Sequence, residues 1–295
     1  MKRFICGLAS FLLLACFGME LFALGSGELP ESSFSGEYVI SADKVNPNAI
    51  LVDARGKKGD TIKGAVVVSW TELATCADGK PGDANWGVIL DKARLDKKLG
   101  ELGLSMDKPI VVFGEASKAW GEEGRIVWQL LAVGYKNVKF VDGGYTAMLI
   151  AGFEKSSTGA KLPPVKVDTK PVDPNFSIDT ETLRNNYASY KIVDTRNDDE
   201  YKGAKKYGEA KGGKLPGAVL VKFTDLFQSN GLLKSNVEIK NLFQASGLKK
   251  SDVIITYCTG GIRSAYMQLV MKMLGYTAKN YDESFYRWCN VYEVE

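Results

Sequence analysis

Ile50-Leu51-Val52-Asp53-Ala54-Arg55 returns later in the chain as Lys191-Ile192-Val193-Asp194-Thr195-Arg196. Around each copy the same blocks follow in the same order. Lys63-Gly64-Ala65-Val66-Val67-Val68 is matched by Pro216-Gly217-Ala218-Val219-Leu220-Val221. Next comes an aromatic-Thr-acid-Leu stretch, Trp70 to Leu73 and then Phe223 to Leu226. Pro109 to Phe113 pairs with Val253 to Tyr257, Gly134-Tyr135 with Gly275-Tyr276, and Val141-Asp142-Gly143-Gly144 with Tyr281-Asp282-Glu283-Ser284. A repeated order of blocks means a duplicated domain. The length of 295 residues suits this, being ample for two cores of about 120 to 130 residues each.

The first unit is expected over residues 35–155 and the second over 176–295. The linker between them, 156–175, holds Pro163, Pro164, Pro171 and Pro174 among polar residues, which favours extended chain. Within each unit the short β-branched runs are apolar throughout, as strands buried on both faces are. Between them Leu95, Leu99 and Leu102, and then Ile126, Leu130 and Val133, recur at helical spacing, as do apolar residues in 237–245 and 264–274. Alternating strands and helices predict an α/β protein: two domains, each a parallel sheet with helices on both faces. In such a sheet the ligand site is expected beyond the carboxyl ends of the strands.

Composition excludes several chemistries. There is no histidine, which removes Ser-His-Asp and Cys-His catalysis and the commonest zinc ligand. A net charge of +3 is too small to argue for nucleic acid. Residues 1–25 read as an export signal: Met1-Lys2-Arg3 is a positive start and Phe4 to Ala15 an apolar run. Two endings compete. Leu13-Leu14-Ala15-Cys16 fits a lipobox that would leave a lipid anchor at Cys16, and Ala23-Leu24-Gly25 fits a small-residue cleavage site. With cleavage after Cys16, the remaining cysteines are Cys76, Cys258 and Cys289, an odd number. A free thiol in an oxidising compartment calls for a reason.

The halves disagree at the expected site. After the second half's strand comes Tyr257-Cys258-Thr259-Gly260-Gly261-Ile262-Arg263-Ser264 and then a helix, whereas the first half has Phe113-Gly114-Glu115 and a longer, Glu-rich connection. Two adjacent glycines let the turn curl with its N–H groups inward, and the next helix adds its positive end. A thiol at the base of that nest has a depressed pKa without needing a histidine, and Arg263 adds a planar, permanent cation. The plainer reading is a buried core cysteine ahead of a chance Gly-Gly turn; the strand-loop-helix setting and Arg263 argue against it.

Taken in order, Asp-x-Arg, Pro-Gly-Ala, Tyr-Cys-x-x-Gly-x-Arg-Ser, Leu-Gly-Tyr and Asp-x-Ser-x-x-x-Trp resemble the rhodanese family, over about residues 35–295. The duplicated form is similar to the tandem thiosulfate and 3-mercaptopyruvate sulfurtransferases, which have an inert first domain and a catalytic second one. The resemblance implies a sulfurtransferase with Cys258 as nucleophile and persulfide carrier; the export signal read over residues 1–25 makes it an exported one. It implies further that Thr259, Gly260, Gly261, Ile262 and Arg263 form the substrate-binding loop and that Arg196 binds substrate. The implied partners are a small anionic sulfur donor and a thiol or cyanide acceptor, with no metal or other cofactor. Lys214 stands where the family usually has histidine, and the loop lacks the sequences typical of either donor class.

Two other functions compete. A cysteine phosphatase also closes a Cys loop with Arg, but across five residues, and here four intervene. A sulfide or polysulfide carrier would use this same loop without turnover.

Asp194 reads more readily as a local turn former than as a partner for Arg196. The lysines at 202, 205, 206, 211 and 214 read as a solvated loop in preference to an anion funnel, and Tyr286 and Trp288 as packing. Cys289 reads as a core thiol in preference to a trap for oxidised Cys258, and Cys76 has no assigned role.

Overall fold

The computed structural model describes residues 32–56 and 59–295, so the export pattern over 1–25, with Cys16, lies outside the described residues. The first half contributes β1 (Val39–Ile40), β2 (Ile50–Asp53), β3 (Thr61–Ile62), β4 (Val66–Val67), β5 (Ile110–Phe113) and β6 (Val138–Val141). Its helices are α1 (Lys92–Glu101), α2 (Glu122–Ala132) and α3 (Gly144–Ile150). After β7 (Lys155–Ser156) the second half runs β8 (Ser177–Ile178), α4 (Thr180–Asn185), β9 (Lys191–Asp194), α5 (Asp198–Tyr201), β10 (Val219–Leu220), α6 (Asn236–Ala245), β11 (Val253–Tyr257), α7 (Ile262–Met273), β12 (Thr277–Tyr281) and α8 (Ser284–Val291).

Two five-stranded parallel sheets result, ordered β1-β6-β5-β2-β4 and β8-β12-β11-β9-β10. Equivalent strands hold equivalent places. The register repeats too, with Asp53 beside Phe113 in one sheet and Asp194 beside Tyr257 in the other. Trp70–Leu73 and Phe223–Leu226 form matching 3-10 turns. The α/β expectation and its duplication both hold: the most apolar runs, β2 and β5 in one sheet and β9 and β11 in the other, are buried inside the sheets, and β4 and β10 lie at edges.

The linker is extended and tied down along the first half. Val165 donates its N–H to Gly100 O at 3.0 Å, Lys170 to Val133 O at 2.9 Å and Asp173 to Ala132 O at 2.8 Å.

Spacing alone understated α2 and α7. Both are buried almost all round, not along one stripe: one face covers its own sheet and the other packs against the helix of the opposite half. Gly124 permits the approach, since a Cβ there would stand 2.2 Å from the ring of Tyr266. One apolar core consequently runs through both halves, with Phe140 and Tyr266 in ring contact at 4.6 Å.

Candidate active site

β11 is the central strand of the second sheet, and Cys258 follows it directly. Gly261, at φ 81°, turns the chain into α7. No side chain fits there: a Cβ would lie 2.5 Å from the carbonyl oxygen of Asp282 and 3.2 Å from Arg125 Nη1. The turn brings the Gly261 N–H to 3.1 Å from Cys258 Sγ, and the Ser264 hydroxyl to 3.7 Å.

Cys258 is 2% exposed. Burial alone would raise its thiol. The Arg263 charge, the Ser264 N–H and hydroxyl, and the Gly260 N–H outweigh burial, and the net displacement is downward. The arrangement favours a thiolate at the base of a ring of donors.

Ser284 fixes the backbone of this cysteine. Its Oγ accepts the Cys258 N–H at 2.8 Å and donates to the Cys258 carbonyl at 3.0 Å. To do so it adopts φ 58°, in the left-handed region. Gly144, its counterpart at the start of α3, has φ 57° and pays no side-chain penalty.

Arg263 lines the cavity but is not a free cation. Its Nη1 and Nη2 each donate to a carboxylate oxygen of Glu200 at 2.8 Å, and Nη2 also reaches Thr259 Oγ1 at 3.0 Å. Thr259 in turn donates to Glu200 Oε1 at 2.8 Å. Burial would raise the Glu200 carboxyl; hydrogen bonds from Arg263 hold it below the usual range. Glu200 sits on α5, a four-residue helix whose acid-rich sequence looks like an ordinary helix start. Nothing in the repeat singled it out.

Arg196 is brought near the loop but not into the cavity. It is fully buried, bonded to Asp194 through Nε and Nη2, at 2.7 Å for the latter, and to Gly213 O at 2.7 Å. It also stacks over Phe285, with its guanidinium carbon 4.0 Å from the ring centroid. Arg196 does not line the cavity over Cys258; Nε and Nη2 are held beneath the loop, while Nη1 has no hydrogen-bond partner among the described residues. Asp194 does both jobs weighed for it, accepting the Arg196 backbone N–H at 2.9 Å as a turn former and holding the guanidinium. In the first half Arg55 repeats the pattern with Asp53 and lies over Tyr145 at 3.5 Å.

The cavity over Cys258, about 130 Å³, is walled from both halves. Trp70, Trp86 and Trp120 come from the first; Tyr207, Tyr286, Ile262 and the Thr259, Gly260 and Arg263 loop come from the second. Trp86 meets Tyr286 edge to face at 5.6 Å, Trp120 meets Tyr207 at 5.5 Å, and the Tyr286 hydroxyl donates to the Tyr207 carbonyl at 2.8 Å. The packing role expected of Tyr286 is thus corrected to a wall position, whereas Trp288 packs among Tyr187, Tyr281 and Tyr292.

Arg125, on α2, also crosses between the halves. Fully buried, it donates to Gly261 O at 3.1 Å and Gly87 O at 2.8 Å and forms an ion pair with Asp282. The loop of the second domain is thereby held by a residue of the first.

In the first half Gly114 follows β5 where Cys258 follows β11, and Gly121, at φ 77°, matches Gly261. Glu123 then occupies the place of Arg263. At the positions of Cys258 and Arg263 that half therefore has Gly114 and Glu123, neither a nucleophile nor a cation. Cys289 is fully buried in the second core, with Sγ 3.6 Å from the Tyr286 carbonyl, and Cys76, Cys258 and Cys289 are all free thiols. Lys206 pairs with Asp199, Lys211 with Glu293 and Lys214 with Glu295, and none of the five lysines lines the cavity.

The rhodanese-like domain family matches residues 40–151 and again 179–291. The chain belongs to that family. Among rhodanese relatives, the thiosulfate sulfurtransferase of Azotobacter vinelandii is 30% identical over 210 residues, 69% of this chain and 75% of that one. A sulfur carrier protein of Thermus thermophilus is 26% identical over 220 residues, 70% and 76% of the two chains. In fold, the 3-mercaptopyruvate sulfotransferase SseA of Escherichia coli superimposes with a TM-score of 0.72 at 20% identity, over 84% of this chain and 98% of that one. This rhodanese therefore shares with SseA the whole tandem arrangement.

Proposed function

We propose that the protein is a sulfurtransferase that passes a sulfane sulfur through a persulfide on Cys258. The observation that carries the reading is the thiol itself: fully enclosed, yet with its pKa lowered by Arg263 and the loop donors. Burial without such donors displaces a thiol upward, as at the half-buried Cys76, to about 11.

In the first half-reaction the Cys258 thiolate attacks the outer sulfur of a donor such as thiosulfate. The new S–S bond takes the thiolate's electron pair, the donor's S–S bond breaks toward its sulfonate sulfur, and sulfite leaves with that pair. The loop N–H groups face the charge on the sulfur through both steps. In the second half-reaction an acceptor thiolate attacks the outer persulfide sulfur, and the Cys258 thiolate departs. Thiosulfate and 3-mercaptopyruvate are the donors to try first, since relatives are named for them.

The test is thiocyanate formation from thiosulfate, or from 3-mercaptopyruvate, with cyanide as acceptor, wild type beside Cys258→Ser. Turnover lost in the variant supports the reading. Absence of turnover with both donors, in folded and reduced protein, refutes it. A sulfur carrier is the second reading, favoured by the Thermus thermophilus relative; a carrier loads one sulfur and stops, so multiple turnover decides between them.

The pattern in residues 1–25 supports export of this enzyme. Cell fractionation tests that, and the mass of the mature N-terminus separates a lipidated Cys16 from cleavage after Gly25.

A further inference from the structure

Two connections are longer than their counterparts in the opposite half. Residues 114–121 join β5 to α2, where the second half crosses from β11 to α7 in 258–261. The chain from Arg196 to Ala218 likewise exceeds the one from Arg55 to Ala65. These additions belong to different domains, yet they meet over the nucleophile. Trp120 stands near the end of the first and Tyr207 within the second, edge to face at 5.5 Å, and both line the cavity that holds Cys258.

The two rings are also the outermost. Among the described residues lining the cavity, Trp120 at 46% and Tyr207 at 37% are the exposed ones, whereas Cys258 lies buried at the floor. Each ring is placed by its own loop. The Trp120 N–H donates to Glu122 Oε2 at 3.1 Å, and Gly121 then turns the chain into α2. The Tyr207 N–H donates to Glu209 Oε2 at 2.8 Å, and its carbonyl accepts the Tyr286 hydroxyl at 2.8 Å. The Tyr207 loop is pinched at its neck: Gly203 and Gly213 adopt φ 110° and 111°, and a Cβ at Gly212 would overlap the Gly203 carbonyl oxygen. Large rings kept at the surface add little to the core; placed here, they narrow the way to the thiol.

We infer that Trp120 and Tyr207 determine specificity by size, narrowing the mouth of the cavity so that small donors and acceptors reach Cys258 and bulky ones, protein thiols included, do not. The inference rests on the sulfurtransferase reading and names its acceptor class, a small-molecule nucleophile. The cavity of about 130 Å³ has room for one such molecule against the sulfur. The filter does not select by charge: the Gly261 N–H still faces the reacting sulfur, and a small anionic donor meets the same loop donors as before. Transfer to an acceptor thiolate is balanced. The thiolate supplies the electron pair of the new S–S bond, the outer sulfur keeps its proton, and the pair of the broken bond returns to Cys258 Sγ.

The first arm of the test needs no sulfur donor. Reduced full-length protein is alkylated with iodoacetamide and with N-tert-butyl iodoacetamide, both uncharged, and the rate at Cys258 is read from the mass of its peptide. Each rate is divided by that reagent's rate with 2-mercaptoethanol, which removes intrinsic reactivity. In the wild type the bulky reagent is expected to be slower by about tenfold or more. Loss of the ring pair in Trp120→Ala or Tyr207→Ala is expected to raise the bulky-to-small ratio by about threefold or more, with Trp120→Phe close to wild type. Should one alanine variant not fold, the other decides. The second arm loads Cys258 with sulfur and compares discharge by 2-mercaptoethanol and by a longer peptide bearing one cysteine, each normalised to a small-molecule persulfide. The peptide should lag in the wild type and gain in the alanine variants. Equal access for the two alkylating reagents, or a ratio unchanged in a folded alanine variant, overturns the inference and leaves sulfur transfer intact. Failure of Cys258 to load with sulfur overturns the sulfurtransferase reading, while the alkylation ratios decide the size filter by themselves.

Discussion

Ser284 spends backbone strain to hold the nucleophile, and two substitutions separate the strain from the holding. At φ 58° a residue with a side chain costs about 1–2 kcal/mol relative to one in its ordinary region. Ser284→Ala keeps that cost and removes the hydroxyl. The Cys258 carbonyl retains the Phe285 N–H at 3.1 Å, but the Cys258 N–H loses its acceptor in a buried site. An orphaned buried donor costs about 1–3 kcal/mol, which is the expected loss for alanine. Ser284→Gly loses the same hydrogen bonds and is relieved of the left-handed penalty, so it should recover about 1 kcal/mol of that loss. Gly144 in the first half is the natural precedent for the glycine. Urea unfolding of the three proteins, at equal dependence on denaturant, measures the order directly. The expected ranking is wild type, then glycine, then alanine, with sulfur transfer reduced in both variants because the loop is loosened. An alanine variant as stable as wild type would refute the hydroxyl's role, and a glycine variant weaker than alanine would refute the strain.

Arg263→Met leaves Glu200 buried without its cation, which should cost about 3–5 kcal/mol, and the pH profile of Cys258 alkylation should move upward because the charge that outweighs burial is gone. Arg125→Leu should cost a similar amount, about 3–5 kcal/mol by thermal or urea unfolding, and should also slow sulfur transfer, although the residue sits in the domain without a nucleophile. A thiol whose folded pKa lies below its ordinary value of 9.0 releases its proton earlier in the folded state, so its contribution to stability is complete above about pH 9 and is lost as pH falls through the folded value. The stability difference between wild type and Cys258→Ser should therefore grow as pH is raised toward 9; a pH-independent difference would contradict the lowered thiol.

The fold was legible because the duplication displays it twice. The central apolar runs fill the middle of each sheet, and agreement between Ile50–Arg55 and Lys191–Arg196 marks the same strand in both halves. The nucleophile was legible because Cys258, the glycines and Arg263 act through local backbone geometry, which a short motif contains. What stayed hidden depends on partners far apart in sequence. Arg196 carries the right pattern, but only the packing of Asp194, Gly213 and Phe285 around it reveals that Nε and Nη2 are already held and that the side chain is buried away from the cavity. Glu200 reads as one more acid in a first turn until α5 folds under α7. Trp70, Trp86 and Trp120 are unremarkable aromatics scattered along the first half, and they become a wall only when α2 packs on α7.

The division of that wall has an evolutionary consequence. After duplication, one copy kept the thiolate and the donors that activate it, and its loop tolerates almost no change: Gly261 has no room for a methyl group. The other copy has no nucleophile at the equivalent loop but encloses the reacting sulfur with three tryptophans. Mutations at those tryptophans can redraw what is admitted while the thiolate and its donors stay in place. Part of the selectivity is thus written in a different genetic segment from the nucleophile, and the three tryptophans can drift, or be engineered, while the catalytic loop stands still.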